Sequence, residues 1–379
     1  MFTRMMLNNL TKFSSKISLR KRDLNKFKNP LIEFKKISSS NKIKIALVFN
    51  SRNSLPTGNL KKLPQDFYVE WDDYSTIEAI KNALVSEKHS VYLVDEPSAN
   101  DKIFLNIKPD IVFNIAEGLS GFARESKIPA ILEKLNIPYT GSDTLTLAIA
   151  LDKAKSKELM NYANIKNPIF LLAFSEKINH NLKYPVIVKP NFEGSSKGIS
   201  NNSIANNQIE LKNRIKSIIK IYNQPALVEE YLPGREFTVA IIGNYKPIVL
   251  PIVEIKFDEL PHNANKIYSY EAKWVWDKPD NPLNIFECPA KTNTILKSKI
   301  EDLTIKTFKL FKCRDFCRID IRLDSNNEPN IIEINPLPGL LPNPKDNSCF
   351  PKAACAFGWN YNTLITNMLK TALKRYNML

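Results

Sequence analysis

The chain contains no uninterrupted apolar run approaching about 18 residues, so a membrane-spanning helix is not expected. It has only five cysteines (Cys288, Cys313, Cys317, Cys349 and Cys355), an odd number without paired spacing. That argues against a disulfide framework and fits a reducing compartment. Cys313 and Cys317 stand four apart with no histidine or second cysteine pair beside them, and read as buried thiols rather than a zinc site. Three histidines, His89, His180 and His262, form no nucleophile or metal pattern, and no internal repeat is visible. What is present, 379 residues at 43% hydrophobic content, suffices for a globular protein of two or three domains.

The formal net charge of +15 suggests an anionic partner until its distribution is considered. Residues 1–40 hold ten Lys and Arg against Asp23 and Glu33, a net of +8, which leaves +7 for the rest. That stretch, with Arg4, Lys12, Lys16, Arg20, Lys21 and Arg22 and no acid before Asp23, has the composition of an organellar transit peptide. A solvated, mostly disordered tail fits it equally, as does a stretch read from the wrong start codon. Neither nucleic acid nor membrane is therefore expected as a partner.

Periodicity predicts an α/β chain. Strands over residues 44–49, 90–94 and 110–114 with a helix over 76–86 make residues 43–145 one open α/β domain. Glu117-Gly118-Leu119-Ser120-Gly121 follows the third strand, at the sheet end where ligands bind. A helix over 128–135 and the turn Thr140-Gly141-Ser142-Asp143 lead to a domain junction. Residues 146–242 alternate helices over 152–163 and 209–221 with strands over 185–189, 226–230 and 236–242. Residues 243–379 hold a strand over 253–257, a helix over 296–310, a hairpin and a closing helix over 361–375. Residues 1–42 form the basic extension.

Arg318-Ile319-Asp320-Ile321 and, thirteen residues after Asp320, Glu333-Ile334-Asn335 carry the most chemistry. They lie on apolar strands over 316–323 and 331–334, joined by the turn Asp324-Ser325-Asn326-Asn327-Glu328. Asp320, Glu333 and Asn335 bring oxygen donors together, and Mg²⁺ is usually held by one or two carboxylates plus substrate phosphates. A surface hairpin with polar ends has the same spacing. Pro190-Asn191-Phe192-Glu193-Gly194-Ser195-Ser196-Lys197-Gly198 follows the apolar Val186-Ile187-Val188. Its glycines permit close backbone approach to phosphate and Lys189 adds a point charge, although the order is not that of a Walker A loop and a plain turn uses the same residues. Lys189, closing an apolar strand, wants an anion, whether ligand or salt-bridge partner; Lys153 reads equally as a surface lysine. Residues 227–239 give strand, turn, strand. Glu229 is placed for an adenine amino group, Glu236 for ribose hydroxyls and the backbone near Leu232 for the purine edge, or all three belong to an exposed hairpin.

Taken in order, these pieces resemble the ATP-grasp superfamily, and within it the D-alanine–D-alanine ligase family, from about residue 44 to the C-terminus. The matching stretches are residues 110–114, 137–142, 151–153, 185–198, 229–239, 270–273, 288–290 and 318–339. The resemblance implies a three-domain ATP-grasp fold with an N-terminal open parallel α/β domain and ATP between the sheets of the central and C-terminal parts. It implies that Lys153 and Lys189 contact ATP phosphates under a loop containing Glu193, Gly194, Ser195 and Ser196. Glu229, Tyr231, Leu232 and Glu236 would frame adenosine, and Lys273 would approach the terminal phosphate. Asp320, Glu333 and Asn335 would bind two Mg²⁺ ions, with Mn²⁺ the alternative. Arg318 and the Gly339 N–H would stabilise the oxyanion, with Ser195 and Lys273 also catalytic. The implied reaction joins a carboxylate to an amine through an acylphosphate. D-alanine is the default for both small-molecule substrates, in peptidoglycan precursor synthesis, by a cytoplasmic homodimer; a transit peptide would make it organellar.

The chain departs from the family where amino acids bind. The family's first-substrate Glu has no counterpart in residues 48–53, for which Glu70 or Asp72 is the substitute. Glu117 stands for a His, Trp274 for a Tyr whose partner Ser195 remains, and residues 336–344 lack the Ser expected to hold a carboxylate. The ATP half is thus intact and the amino-acid half altered. Besides a D-alanine ligase, the sequence admits a ligase for another acid and amine, or a non-catalytic nucleotide- or nucleic-acid-binding protein. The last is disfavoured by the joint presence of Arg318, Asp320, Glu333, Asn335 and both lysines.

Overall fold

Ile45 to Phe49 is apolar without alternation, a pattern that demands cover on both faces. β1 (Lys44–Phe49) is accordingly the centre of a parallel sheet of order β2-β1-β3. Around it run α1 (Tyr74–Ser86), β2 (Ser90–Asp95), α2 (Asp101–Ile107), β3 (Ile111–Asn114) and α3 (Lys127–Leu135). Val48, Phe104, Val112 and Leu132 fill the space between sheet and helices. The computed structural model describes residues 34, 36, 42–52, 64, 66–277, 283–343, 346 and 348–379. The basic extension, Phe34, Lys36 and Lys42 apart, lies outside the described residues, as do Asn53 and Pro344 of the departing segments. Every described strand and helix belongs to the unit Ile37–Leu379.

α4 (Thr144–Leu151) and α5 (Lys153–Tyr162) are separated only by Asp152. Asp152 caps α5 by accepting from the Lys155 N–H at 3.0 Å, and its carboxylate also accepts from the Asn191 side chain at 2.8 Å. A cap that doubles as a tether fixes the first residue of α5, Lys153, against the loop over 190–198.

β4 (Phe170–Ala173), β5 (Val186–Pro190), β6 (Ile204–Ala205), α6 (Gln208–Tyr222) and β7 (Ala226–Glu230) form a second, antiparallel sheet of order β4-β7-β5-β6. Leu211, Ile215 and Ile218 make one apolar stripe on α6 and pack on Val186, Val188 and Val228. Strand alternation then turns Ile187 and Lys189 to the opposite face.

The third sheet contains β8 (Glu236–Ile242), β9 (Ile248–Val249), β10 (Val253–Ile255), β11 (Phe286–Glu287), β12 (Phe316–Leu323) and β13 (Pro329–Asn335), backed by α7 (Thr294–Leu310). Its order is β11-β10-β8-β12-β13, with β9 on β8. Because β8 pairs with β10 and β12, the seam between second and third sheets falls between Glu230 and Glu236, not at residue 242. The expected strand over 253–257 ends at Ile255. α8 (Cys349–Ala356) and α9 (Tyr361–Arg375) close the chain.

One buried acid joins three distant segments. Asp315, fully buried immediately before β12, accepts from the Gly141 N–H at 2.9 Å, the Asn244 amide at 3.0 Å, and Arg375 Nε and Nη2 at 3.0 and 2.8 Å. Removing one partner of a buried pair strands the other charge, at about 3–5 kcal/mol. Asp315→Ala should therefore lower the urea-unfolding free energy by about that amount. An unchanged midpoint would show that the joint contributes nothing.

Candidate active site

β12 alternates strictly. Cys317, Ile319, Ile321 and Leu323 lie in the apolar core, while Arg318, Asp320 and Arg322 share the other face and line a cavity of about 470 Å³. The partners on either side follow from register. Arg322 lies opposite Glu236 on β8 and donates to its carboxylate at 2.8 Å. Asp320 lies opposite both Thr238 on β8 and Glu333 on β13, and accepts from the Thr238 hydroxyl at 2.6 Å. Arg318 lies opposite Asn335 and holds Asp320 through two hydrogen bonds, at 3.0 and 2.9 Å, while Asn335 donates to Asp320 at 3.0 Å. A shift of register between Asp320 and Ile321 inserts Ile332 as an extra residue and brings Glu333 level with Asp320.

Three lysines face this wall from α5 and β5. Lys153, buried rather than at the surface, pairs with Glu333 at 2.7 Å and donates to the Glu193 carbonyl. Burial opposes ionisation of Glu333, but Lys153 and Lys189 outweigh it and hold the carboxyl below its ordinary value. Lys189 finds its anion in Glu229, at 2.7 Å; the other Glu229 oxygen meets Lys157 at 2.6 Å. The carboxyl of Glu229 is likewise held down against burial by both lysines. Glu229 therefore reaches the cavity already carrying two cations. Lys157, a second buried lysine one turn beyond Lys153, is a participant that sequence reading missed.

The loop over 190–198 closes one side. Gly194, Ser195 and Ser196 line the cavity, and Trp274 donates from its indole to the Ser195 carbonyl at 3.2 Å, so the expected pairing is made through backbone rather than the hydroxyl. Glu193 is not among the lining residues. Its carboxylate turns away to Lys197 at 2.7 Å and accepts from Gln224 at 2.8 Å. Tyr231, Leu232 and Glu236 mark the far end, where Arg322 donates to the Tyr231 hydroxyl at 3.0 Å and lies over its ring. Lys273 and Trp274 sit on the π-helical turn Glu271–Trp276. Burial and the nearby Arg318 pull the Lys273 ammonium below its ordinary value.

At the amino-acid end, Glu70 lines the cavity but is not free. It accepts two hydrogen bonds from Arg124, at 2.8 and 2.9 Å, and one from the Gly194 N–H at 2.7 Å. Asp72, Glu117 and Glu125 also line it, and none of the three carboxylates has a hydrogen bond or ion pair among the described residues. Burial pushes Asp72 and Glu125 up to about 7, and Glu117 well above the ordinary range. Gly339 lies beside them. A serine does stand in the cavity, beyond residues 336–344. Ser348 lines the same cavity, donates to the Gly339 carbonyl at 3.2 Å and accepts from the Leu341 N–H at 3.3 Å.

Two carboxylates and an amide are donors of the type Mg²⁺ takes when phosphate completes its shell. Asp320, Glu333 and Asn335 are such a set, and among the described residues no group of three His, Cys, Asp or Glu side chains could hold a metal ion.

Comparison with known proteins identifies the family. The family model described as "D-ala D-ala ligase C-terminus" matches residues 155–370, more than half of the chain. The uncharacterized protein y4sG of Sinorhizobium fredii is 37% identical over 268 residues, 70% of this chain and 75% of that protein. The D-alanine–D-alanine ligase of Pelotomaculum thermopropionicum is 30% identical over 311 residues, 79% of this chain and 91% of the relative. Among solved structures, D-alanine–D-alanine ligase from Bacillus anthracis complexed with ATP aligns at a TM-score of 0.65 and 20% identity, over 88% of this chain and 99% of that one. The VanG D-Ala:D-Ser ligase of Enterococcus faecalis aligns at 0.64 and 20%, over 88% and 100%. The chain thus belongs to the D-alanine–D-alanine ligase family and has the ATP-grasp fold.

Proposed function

We propose that the protein is an ATP-dependent carboxylate–amine ligase that joins two amino acids through an acylphosphate, with D-alanine as both substrates. The observation that carries this reading is one cavity walled on one side by Arg318, Asp320, Glu333 and Asn335 and on the other by Lys153, Lys189 and the loop over 190–198. A carboxylate oxygen of the first amino acid attacks the γ-phosphorus of ATP, and the bond to the bridging oxygen breaks to release ADP. The deprotonated amine of the second then attacks the acyl carbon, and phosphate leaves with the electron pair.

Lys153 and Lys189 are placed to receive phosphate oxygens, and Lys273 to approach the terminal one. Bound Mg²⁺, held by Asp320, Glu333 and Asn335, would supply further charge neutralisation. Arg318, held by Asp320 through two hydrogen bonds, would stabilise the developing oxyanion together with the Gly339 N–H, both residues lining the cavity. The loop with Trp274 against it keeps water from an acylphosphate. We extend the proposal to a cytoplasmic homodimer, as the family resemblance implies.

Asp72, Glu117 and Glu125 favour a second reading, a ligase for another pair of substrates, since three unpaired acids exceed what one α-ammonium needs. Phosphate release from ATP and Mg²⁺ against D- and L-amino acids, singly and paired, with mass detection of product, separates the two. D-Ala-D-Ala establishes the first reading, and another product, richest in ammonium groups, the second. ATP binding with silence across the panel defeats both.

Arg318→Ala should lower kcat about 10²- to 10³-fold, the usual loss for one oxyanion donor; near-normal turnover would remove Arg318 from the chemistry. Because Lys273 is charged only below its depressed pKa, activity should fall on the alkaline side at lower pH than a free lysine would give. Lys273→Arg should move that limb to higher pH, and an unmoved limb would assign it to another group.

A further inference from the structure

The loop proposed to cover the phosphates has an unfavourable backbone conformation at two residues. Ser195 and Ser196 both have positive φ, 50° and 62°, a region costing roughly 1–2 kcal/mol per non-glycine residue. Tyr268, Trp274, Arg214 and Gln224 hold it from the later part of the chain, and a second set of contacts reaches it from the N-terminal portion. Asp66 accepts from the Gly198 N–H at 2.7 Å and from the Tyr222 hydroxyl at 2.6 Å. Four residues on, Glu70 accepts from the Gly194 N–H at 2.7 Å. Arg124, buried after β3, donates to Glu70 and, at 2.6 Å, to the Phe192 carbonyl. Lys197, buried too, lies 3.7 Å from Glu70. Phe122 stacks on Phe192 at 4.4 Å.

The same turn ends at Asp72, which lines the amino-acid end of the cavity and is tied to β1 by a hydrogen bond from its N–H to the Asn50 carbonyl at 3.0 Å. One short rigid segment therefore touches the phosphate loop with Asp66 and Glu70 and the amino-acid pocket with Asp72. We infer that Asp66, Glu70 and Arg124 are positioning residues that clamp the phosphate loop to the N-terminal domain. They make its closure over ATP depend on the pocket where the first amino acid binds. This rests on the ligase reading. Such a clamp keeps the loop shut while the acylphosphate exists and so limits wasteful hydrolysis.

Asp66 is the residue to test, because it anchors the loop without lining the cavity. In Asp66→Ala, formation of product should fall about 10- to 100-fold, the cost of a small misplacement, while phosphate released per product formed rises above unity. Tyr222→Phe, which removes only one of the two donors to Asp66, should shift that ratio in the same direction by less. Arg124→Lys, keeping charge but losing the fork, should fall between wild type and Arg124→Ala. Hydrogen–deuterium exchange over residues 194–198, in the full-length protein with Mg²⁺ and a non-hydrolysable ATP analogue, should accelerate in Asp66→Ala while exchange in β12 does not change. A ratio still at unity, or loop exchange unchanged, would overturn the clamp while leaving the ligase standing. If wild type makes no product with any amino-acid pair, the ligase reading fails. The exchange measurement then decides the clamp alone, with faster loop exchange upholding it and no change refuting it.

Discussion

The register of β12 is the constraint on which the site depends. Paired along both edges, by β8 and β13, it cannot slip by one residue without turning Ile319 and Ile321 to the cleft and Arg318, Asp320 and Arg322 into the core. Burying three charges there would cost more than a domain's whole stability margin. The apolar face of the strand thereby enforces the polar face. The one interruption is functional in its effect. Continued without its shift, the pairing of Ile321 with Ile331 would set Glu333 opposite Ile319, on the core side; the extra residue returns it to Asp320.

The cleft is also neutralised internally before any nucleotide arrives. Lys153 pairs with Glu333, Lys189 with Glu229, Arg318 with Asp320 and Arg322 with Glu236. Unpaired, these groups would have shifted their protonation or destabilised the fold. In the proposed reaction Lys153 would exchange Glu333 for a phosphate oxygen while Arg318 stays on Asp320, so that binding at Lys153 is an exchange of ion pairs rather than a fresh desolvation. The corner at Asp72, Glu117 and Glu125 differs. Its carboxyls have no such partners among the described residues, and burial drives them toward the neutral form.

What was legible in the sequence is what local pattern encodes. The period-two alternation of residues 316–323, the acid-amide pair thirteen residues on, and a lysine closing an apolar strand each constrain a single strand, and each side chain lies in the cavity as expected. The rest was not legible because it depends on contacts across long separations. Glu70 reads as an acid before a helix until Arg124, 54 residues away, and the Gly194 N–H, 124 away, are seen to claim it. Glu193 sits in the loop sequence, yet Lys197 and Gln224 draw its carboxylate outward. Ser348 escaped because it stands nine residues beyond Gly339, and its hydrogen bond to the Gly339 carbonyl appears only in space. The short strands β6, β9 and β11 have no periodicity to detect.

Glu229 shows how such long-range contacts change a residue's meaning. On its strand it reads as an acceptor for an adenine amino group, but each oxygen already meets a lysine. A carboxylate oxygen has two lone-pair sites, so the pairs fix the plane and leave each oxygen capacity for one more donor. They also order the charge. Lys189, facing the cavity, is held above its ordinary value by Glu229 and Glu333 despite burial, whereas burial and the neighbouring Lys189 draw Lys157 down. Glu229 is thus fixed between a lysine that lines the cavity, Lys189, and one that does not, Lys157, so any ligand at this wall meets a carboxylate whose orientation is already set from both sides.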